Sequence, residues 1–470
     1  MYNLILCLLA PLFYCHRWIT AKQAPVYGSK PSPHDTSPHD TSSHDIWLHA
    51  ASVGELNLAK ILIDELLLLN NGLKIIITVN TATAANLGAS LVQEYTEYCA
   101  KNASQGARVT LTYAPYDLPF IVNKFLDKYS PRLLVILEAE LWRNASIACH
   151  RRQLPIILAN ARLTRKSMAS RIKFGFAMPP PHCLPATIAV QSSEDADNFY
   201  EWYTTIGAPR PSINVCGNIK FDAALTNQPL TPKPDSVKKF NLLQEHFKQL
   251  RGKGAAIWCG ASTHHPEEDF LLDAYEHLLQ LQQPSFLILA PRHPHRFNQV
   301  AAKIAKRGFQ EKLKLTRFSE LGDIGSTKIS DCQILLLDTL GDLPHIYSLT
   351  DFAYVGGSFT KRGGQNILEP LACGAAVILG PHHHNLTSIM RFFNNDCISI
   401  VQDRQQLINK LSEFATPHQD IGSGRTSHTN SDNSARVQSI AGYAKSIITE
   451  HQGAAAAVAS LSMKAMKNLV

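Results

Sequence analysis

The stretch DIWLHAASVGELNLAKILIDELLLLN, residues 45–70, passes from a short apolar run, Ile46 to His49, through small residues to a carboxylate, Glu55, and on into a helical pattern. Leu58, Ile61, Leu62, Leu66 and Leu69 recur at helical spacing, with Lys60 and Asp64 off that face. The segment therefore predicts strand, turn and amphipathic helix, with Glu55 in the first helical turn. A carboxylate there has two uses. It complements the helix dipole, a contribution of about 0.3 to 1 kcal/mol, or it does chemistry at the carboxyl edge of an α/β sheet, where such sheets bind ligands.

A second set of groups suits an anion. LILAPRHPHRF puts Arg292, His293 and Arg296 just past an expected strand, and YVGGSF puts Gly356, Gly357 and Ser358 past another. Glycines let a backbone approach a ligand closely, and amides at a helix start bind anions. CGASTHHPEED adds a Gly-Ala-Ser-Thr turn leading into a helix. In GGQNILEPLACGAAVILGP, residues 363–381, Gly-Gly is expected to open a helix whose first turns carry Asn366 and Glu369. A carboxylate so placed can accept hydrogen bonds from ribose hydroxyls, so a phosphate turn with a nearby Glu points to a nucleotide whose sugar is read. None of these is a GxGxxG or Walker loop.

The elements that must position these groups follow a βαβ rhythm. Strands are expected at Ile46 to His49, Lys74 to Thr78, Val109 to Tyr113, Leu133 to Leu137, Ile156 to Leu158, Thr187 to Val190 and Ile213 to Cys216. The rhythm restarts at Ala255 to Cys259, Phe286 to Ala290, Ile334 to Leu337, Phe352 to Val355 and Ala376 to Leu379. A polar, proline-rich stretch at 227–236 reads as a linker between a first Rossmann-like domain, 46–226, and a second, 237–415. A polar loop is expected at 416–436 and a C-terminal helix, packed back on the body, at 437–470. The fold class is α/β: two Rossmann-like domains facing a cleft.

With 470 residues, 45% of them hydrophobic and 18% charged, the chain is globular and long enough for two domains. Its ten cysteines stand singly with no CxxC spacing, which argues for buried thiols in a reducing compartment rather than disulfides or zinc. The net charge of +7 is unevenly placed: Leu141 to Ser193 holds no Asp or Glu but includes Arg143, Arg151, Arg152, Arg162, Arg165, Lys166, Arg171 and Lys173. Such a stretch fits an anionic partner or a basic face balanced by acidic groups folded against it. Residues 1–22 begin with about 14 largely apolar residues, interrupted by Pro11 and followed by Arg17, Lys22 and, further on, Lys30. They read as a membrane anchor with a cytosolic body. Residues 23–45 contain PSPHDTSPHDTSSHD, a repeat that reads as a low-complexity tether carrying His34, His39 and His44.

HAASVGE, YAPYDLP, VILEAELWRN, NARLT, QSSEDADNF, GNIKFD, GASTHHPEE, PRHPHRF, LLDTLGDL, YVGGSF and GGQNILEPLACGAAVILGP occur in that order, between about Ile46 and Asp403. Together they resemble the Kdo transferases of lipopolysaccharide synthesis (Kdo is 3-deoxy-D-manno-octulosonic acid), membrane-associated glycosyltransferases of family 30 with the GT-B fold. The resemblance implies transfer of Kdo from CMP-Kdo to a lipid A precursor, lipid IVA, at the cytoplasmic face of the inner membrane. It implies that the acceptor sits on the first domain and the donor on the second. It makes Glu55 the general base, kept ionised by its helix start. It assigns Ser262, Arg292, His293, Gly341, Gly356, Gly357, Ser358, Asn366 and Glu369 to CMP. Glu138, Glu140, Arg162 and Arg165 are left to bind or position the acceptor, a structural role for the two glutamates being equally open, while Trp142 beside them reads as core.

The implied partners are CMP-Kdo, the lipid acceptor and inner-membrane lipid, with no nucleic acid, no cofactor and no metal. The chain departs from the usual family pattern in carrying its His-Asp-Thr repeats where an Arg-rich segment is usual, Arg143 where Pro is usual and Asp342 where Glu is usual. Two other readings stay open: a membrane-tethered relic that binds nucleotide or lipid without catalysis, and another sugar-nucleotide enzyme of the same fold, such as an epimerase.

Overall fold

A computed structural model of the protein describes residues 2, 43–101, 107–138, 140–226, 234–307, 314–321, 332–415 and 431–467. The expected anchor, apart from residue 2, and the tether up to residue 42 lie outside the described residues. No helix among the described residues is long and apolar enough to cross a membrane. The chain divides into two compact units, Met1–Ala223 with His451–Val470, and Ala224–Glu450.

The first unit is built on seven parallel strands: β1 (Ile46–His49), β2 (Lys74–Val79), β3 (Arg108–Tyr113), β4 (Leu133–Leu137), β5 (Ile156–Ala161), β6 (Thr187–Val190) and β7 (Ser212–Val215). Their spatial order is β3-β2-β1-β4-β5-β6-β7. This is a doubly wound sheet, and its strand order reverses between β1 and β4, the place where open α/β sheets hold ligands. Central strands here read as unbroken apolar runs because both sheet faces are covered: every residue of β1 and β4 is buried. On one face the helix Val53–Leu69 buries Leu58, Ala59, Leu62, Ile63 and Leu66.

The C-terminal stretch is two helices rather than one. Ser431–Glu450 starts inside the segment expected to be a polar loop and belongs to the second unit; Ala454–Lys467 returns to the first. Ala454, Ala455, Val458, Ala459 and Met466 join the core formed by the helix Val53–Leu69, their small side chains permitting close helix approach. The Asp222 carboxylate fixes the start of this last helix by accepting from the Gly453 amide at 2.6 Å and the Ala455 amide at 2.9 Å.

The end of the expected tether belongs to the fold. His44 is buried, with Nε2 3.1 Å from Thr110 Oγ1 and its ring edge-on to Tyr129. Asp45 accepts from the Lys74 amide and pairs with Arg132 at 3.5 Å.

The second unit repeats the plan with β8 (Ala256–Thr263), β9 (Ser285–Pro291), β10 (Lys314–Arg317), β11 (Cys332–Leu336), β12 (Phe352–Val355), β13 (Ala376–Leu379) and β14 (Ile398–Ile400), all parallel. The order β10-β11-β9-β8-β12-β13-β14 reverses between β8 and β12. β10 and β14 are edge strands absent from the sequence expectation: β10 reads Lys-Leu-Thr-Arg, with no apolar run, and β14 is three residues long. β8 is longer than expected. The Gly-Ala-Ser-Thr segment is its carboxyl end rather than a turn, although Ser262 takes the left-handed φ of 52° there.

Candidate active site

In the first unit, Glu55 follows β1 and Glu138 and Glu140 follow β4, so the two strands that flank the reversal bring three carboxylates to one edge. Glu55 and Ser52 form a reciprocal capping box. The Ser52 amide donates to the Glu55 carboxylate at 3.1 Å, and the Glu55 amide donates to Ser52 Oγ at 3.4 Å. The helix start is not the only influence on the Glu55 charge. Burial pushes its carboxyl up from 4.5 to about 7, and the charges of Glu138 and Glu140 push the same way, against the Ser52 hydrogen bond. The cost of removing a carboxylate from water exceeds what the backbone hydrogen bonds at Ser52 and Ala51 return.

The two neighbouring glutamates are held differently. Glu140 accepts from Asn80 Nδ2 at 3.3 Å and lies 3.4 Å from His49 Nε2, and the bond to His49 holds its carboxyl below the ordinary range. Nδ1 of that buried histidine is 2.9 Å from Thr78 Oγ1, and Trp142, only half-buried, lies with its ring 4.3 Å from the imidazole. Glu138 pairs with Lys220 Nζ at 3.2 Å and takes the left-handed φ of 63°; Asn160, at the same edge of β5, takes 52°. Non-glycine residues held in this region cost of order 1 to 3 kcal/mol each and concentrate at functional sites.

Part of the acid-free basic stretch is structural. Arg165 pairs with Glu201 at 3.4 Å, Arg152 pairs with Asp127 at 2.8 Å, and Arg171 lies over the Trp202 ring. Arg162 follows β5 and is half-buried, and no described contact joins it or Arg165 to Glu55. Arg143 donates to the Met178 carbonyl, so the arginine that replaces a usual proline ties down the segment before β6. The Asp195–Asp197 pair in QSSEDADNF is no open ligand set. Asp195 is buried, accepting from the Leu163 amide at 3.0 Å and from Ser192 Oγ.

In the second unit the cations converge past β8 and β9. Arg362, Arg296 and His293 lie within electrostatic reach of His264, and Arg292, Arg362 and Arg296 within reach of His293, with the two rings 5.3 Å apart. Burial, reinforced by Arg362, His293 and Arg296, pushes the His264 imidazole down to about 4. His293 is lowered for the same reasons, burial first and then Arg292. The arginine charges that add to burial in lowering both imidazoles also attract an anion. Arg292 also reaches Glu369, whose carboxyl is raised by burial and drawn back by Asn366 and Arg292.

The amides expected to receive a phosphate are already occupied. Glu267, fully buried at the start of the helix Glu267–Gln280, accepts from the Gly357 amide at 2.9 Å, the Phe359 amide at 3.0 Å, the His264 amide at 2.8 Å and Tyr354 Oη at 2.8 Å. Ser358 is equally engaged: its hydroxyl donates to the Val355 carbonyl and accepts from the Gly380 amide. Gly356 is glycine because a Cβ there would run into the Ser262 carbonyl and lie 2.7 Å from Thr263 Cα. Close packing of β8 on β12, rather than approach to a ligand, requires it. Arg296 is spent on the fully buried Glu268 at 2.6 Å.

Asn366 and Glu369 also stand differently from expectation. The helix is only Leu368–Ala372, and Asn366 precedes it, accepting from the Leu368 amide and donating to Glu369 at 3.0 Å. Gly363 and Gly364 take φ of 88° and 82° in the preceding loop. Gly341, at φ 89°, precedes Asp342, which is buried with Oδ1 lacking a hydrogen bond among the described residues. The donors left facing a ligand are therefore side chains: Arg292, Arg362 and the histidines. His264, Arg362, His49, Asn80, Lys220 and Glu267 complete the two sites. Several sit inside the motifs already quoted, but only the folded chain shows which atoms they meet.

Two doubly wound units in one chain, each with polar groups gathered at its strand reversal, make the α/β framework of a GT-B-like fold. The crystal structure of a glycosyltransferase from Rickettsia africae shares this fold, with 13% sequence identity and a TM-score of 0.50 over 91% of this chain and 100% of that one. A family model described as 3-deoxy-D-manno-octulosonic-acid transferase matches residues 22–223. The 3-deoxy-D-manno-octulosonic acid transferase of Haemophilus influenzae is 33% identical over 393 residues, 83% of this chain and 84% of that protein. The Bordetella pertussis enzyme of the same description is 28% identical over 401 residues, 83% and 85% of the two chains. The chain belongs to the 3-deoxy-D-manno-octulosonic acid transferase family, and its activity is that of a Kdo glycosyltransferase.

Proposed function

We propose that the protein transfers Kdo from CMP-Kdo to a hydroxyl of lipid IVA by direct displacement, with Glu55 as the general base. The observation that carries this reading is the Glu55 carboxyl, raised to about 7 at the strand reversal of the first unit. A base works best with a pKa near the operating pH, where it is both ionised and able to take a proton. The acceptor hydroxyl oxygen attacks the anomeric carbon of Kdo, its proton passes to Glu55, and the bond from that carbon to the CMP phosphate oxygen breaks. The electron pair leaves on the phosphate, so the departing CMP gains negative charge. Arg292 and Arg362 are the cations that would stabilise it, and the neutral His264 and His293 rings would donate hydrogen bonds. Glu369, tied to Asn366, would accept from the ribose hydroxyls.

In this GT-B reading the first unit takes the acceptor and the second the donor. The half-buried Trp142 and the Glu138–Lys220 and Glu140–His49 pairs frame the acceptor edge. Residues 1–22 attach the protein to the cytoplasmic face of the inner membrane, and deletion of residues 1–30 should release it to the soluble fraction with transfer to detergent-solubilised acceptor retained. The decisive assay incubates the full chain with CMP-Kdo and lipid IVA and reads product mass. Lipid IVA bearing one or more Kdo units, with one CMP released per unit, is the expected result. CMP release without glycosylated lipid would leave a hydrolase, and no turnover with CMP still bound would leave a non-catalytic binder.

A further inference from the structure

Far from the carboxylates in sequence role, His150, His182 and Cys183 come together in the first unit: one ligand-capable atom of each lies within 4.8 Å of the others. His150 stands in the last turn of the helix Arg143–Arg151, and His182 and Cys183 in the single helical turn Pro181–Cys183. The two imidazole rings are exposed and meet edge to face at 5.2 Å, while Cys183 is buried behind them. We propose that these three residues bind a zinc ion, with water in the fourth position, and that the ion staples the segment before β6 to the helix that follows β4.

Two imidazoles and a thiolate are the donor set that selects zinc over magnesium or calcium. Ligand distances of about 2.0 to 2.3 Å in a tetrahedron require donor atoms roughly 3.5 Å apart, which small rotations of two exposed rings can reach. The backbone that presents them is already fixed. The Cys183 amide donates to the Pro180 carbonyl at 2.8 Å, Leu184 is buried in the core, and Arg143 holds the Met178 carbonyl. The carbonyl end of the helix Arg143–Arg151 favours a cation. Arg151 and Arg143, whose charges reach Cys183, repel one. Arg152, the next arginine, is paired with Asp127. The donors are 32 and 33 residues apart in the chain, so no CxxC or HxxxH spacing announces them.

The test titrates the full chain in detergent, stripped with chelator and kept reduced, with cobalt(II) and then zinc. One equivalent of cobalt should give tetrahedral visible bands and a thiolate-to-cobalt charge-transfer band, both removed by zinc. Cys183→Ser should lose the charge-transfer band, and His150→Gln, a substitution at an exposed ring, should weaken cobalt binding at least about tenfold. Zinc should raise the melting temperature of the wild-type protein and leave that of His150→Gln unchanged. Absence of the thiolate band in the wild-type protein, or its survival in His150→Gln at unchanged affinity, overturns the site, and this holds even if Cys183→Ser does not fold.

Discussion

The pKa of Glu55 is set by groups that can be removed one at a time, and the pH dependence of transfer reports them. With the carboxyl at about 7, one pH unit below that value about a tenth of the molecules carry the ionised base, and two units below about a hundredth. The acid limb of kcat/KM should therefore fall about tenfold per unit below neutrality, whereas an unperturbed glutamate at 4.5 would leave the rate flat there. Burial is the largest cause of the rise, followed among the charges by Glu138 and then Glu140. Glu138→Gln removes the stronger of those charges and frees the Lys220 ammonium from its 3.2 Å partner. Both changes favour the Glu55 carboxylate, so the acid limb should move to lower pH. Glu140→Gln should move it in the same direction by less. The assay is single-turnover transfer across pH with purified donor and detergent-dispersed acceptor, in which substrate protonation is measured separately. Glu55→Gln keeps an acceptor for the Ser52 amide, so its fold should persist while transfer falls by about 10² to 10⁴ and the limb disappears. A Glu138→Gln profile superimposed on wild type, or an acid limb surviving in Glu55→Gln, would refute the assignment of Glu55 as the titrating base.

The same carboxyl contributes to stability with a definite sign. Its folded pKa exceeds the unfolded value, so the contribution is fully present below 4.5 and is lost as pH rises toward 7; Glu55→Gln should flatten that part of the melting-temperature profile. Arg292→Ala should weaken CMP binding to the full chain by about 1.5 to 3 kcal/mol, the worth of a charge-assisted contact; calorimetry showing unchanged affinity would remove Arg292 from the donor site. Glu267→Gln should lower unfolding free energy by about 3 kcal/mol in denaturant titration, because an amide group replaces one carboxylate oxygen where backbone N–H groups and the Tyr354 hydroxyl all donate. A variant as stable as wild type would mean that the turn finds other acceptors.

What sequence alone determined was whatever is local or periodic. β1, β4, β6, β12 and β13 have the bounds expected of them, because a strand covered on both faces must be apolar throughout. Glu55 was legible in the first helical turn for the same kind of reason: Leu58, Ile61, Leu62 and Leu66 recur at helical spacing just after it, whereas its capping box with Ser52 appears only in the folded chain. The edge strands β10 and β14 were not legible, since a few residues at a sheet margin carry no apolar run. Nor was the charge state of Glu55, which depends first on burial and then on Glu138 and Glu140 arriving after another strand. The glycines of YVGGSF were visible but their reason was not. Only the crossing of β8 shows that Gly356 makes room for backbone, and only the burial of Glu267 shows that the amides after it already have an acceptor. His150, His182 and Cys183 are the extreme case, three residues with no sequence spacing in common that the packing of a helix end against a single turn brings to one point. Contacts between distant segments depend on the summed packing of everything between them, and no short stretch of chain carries that sum.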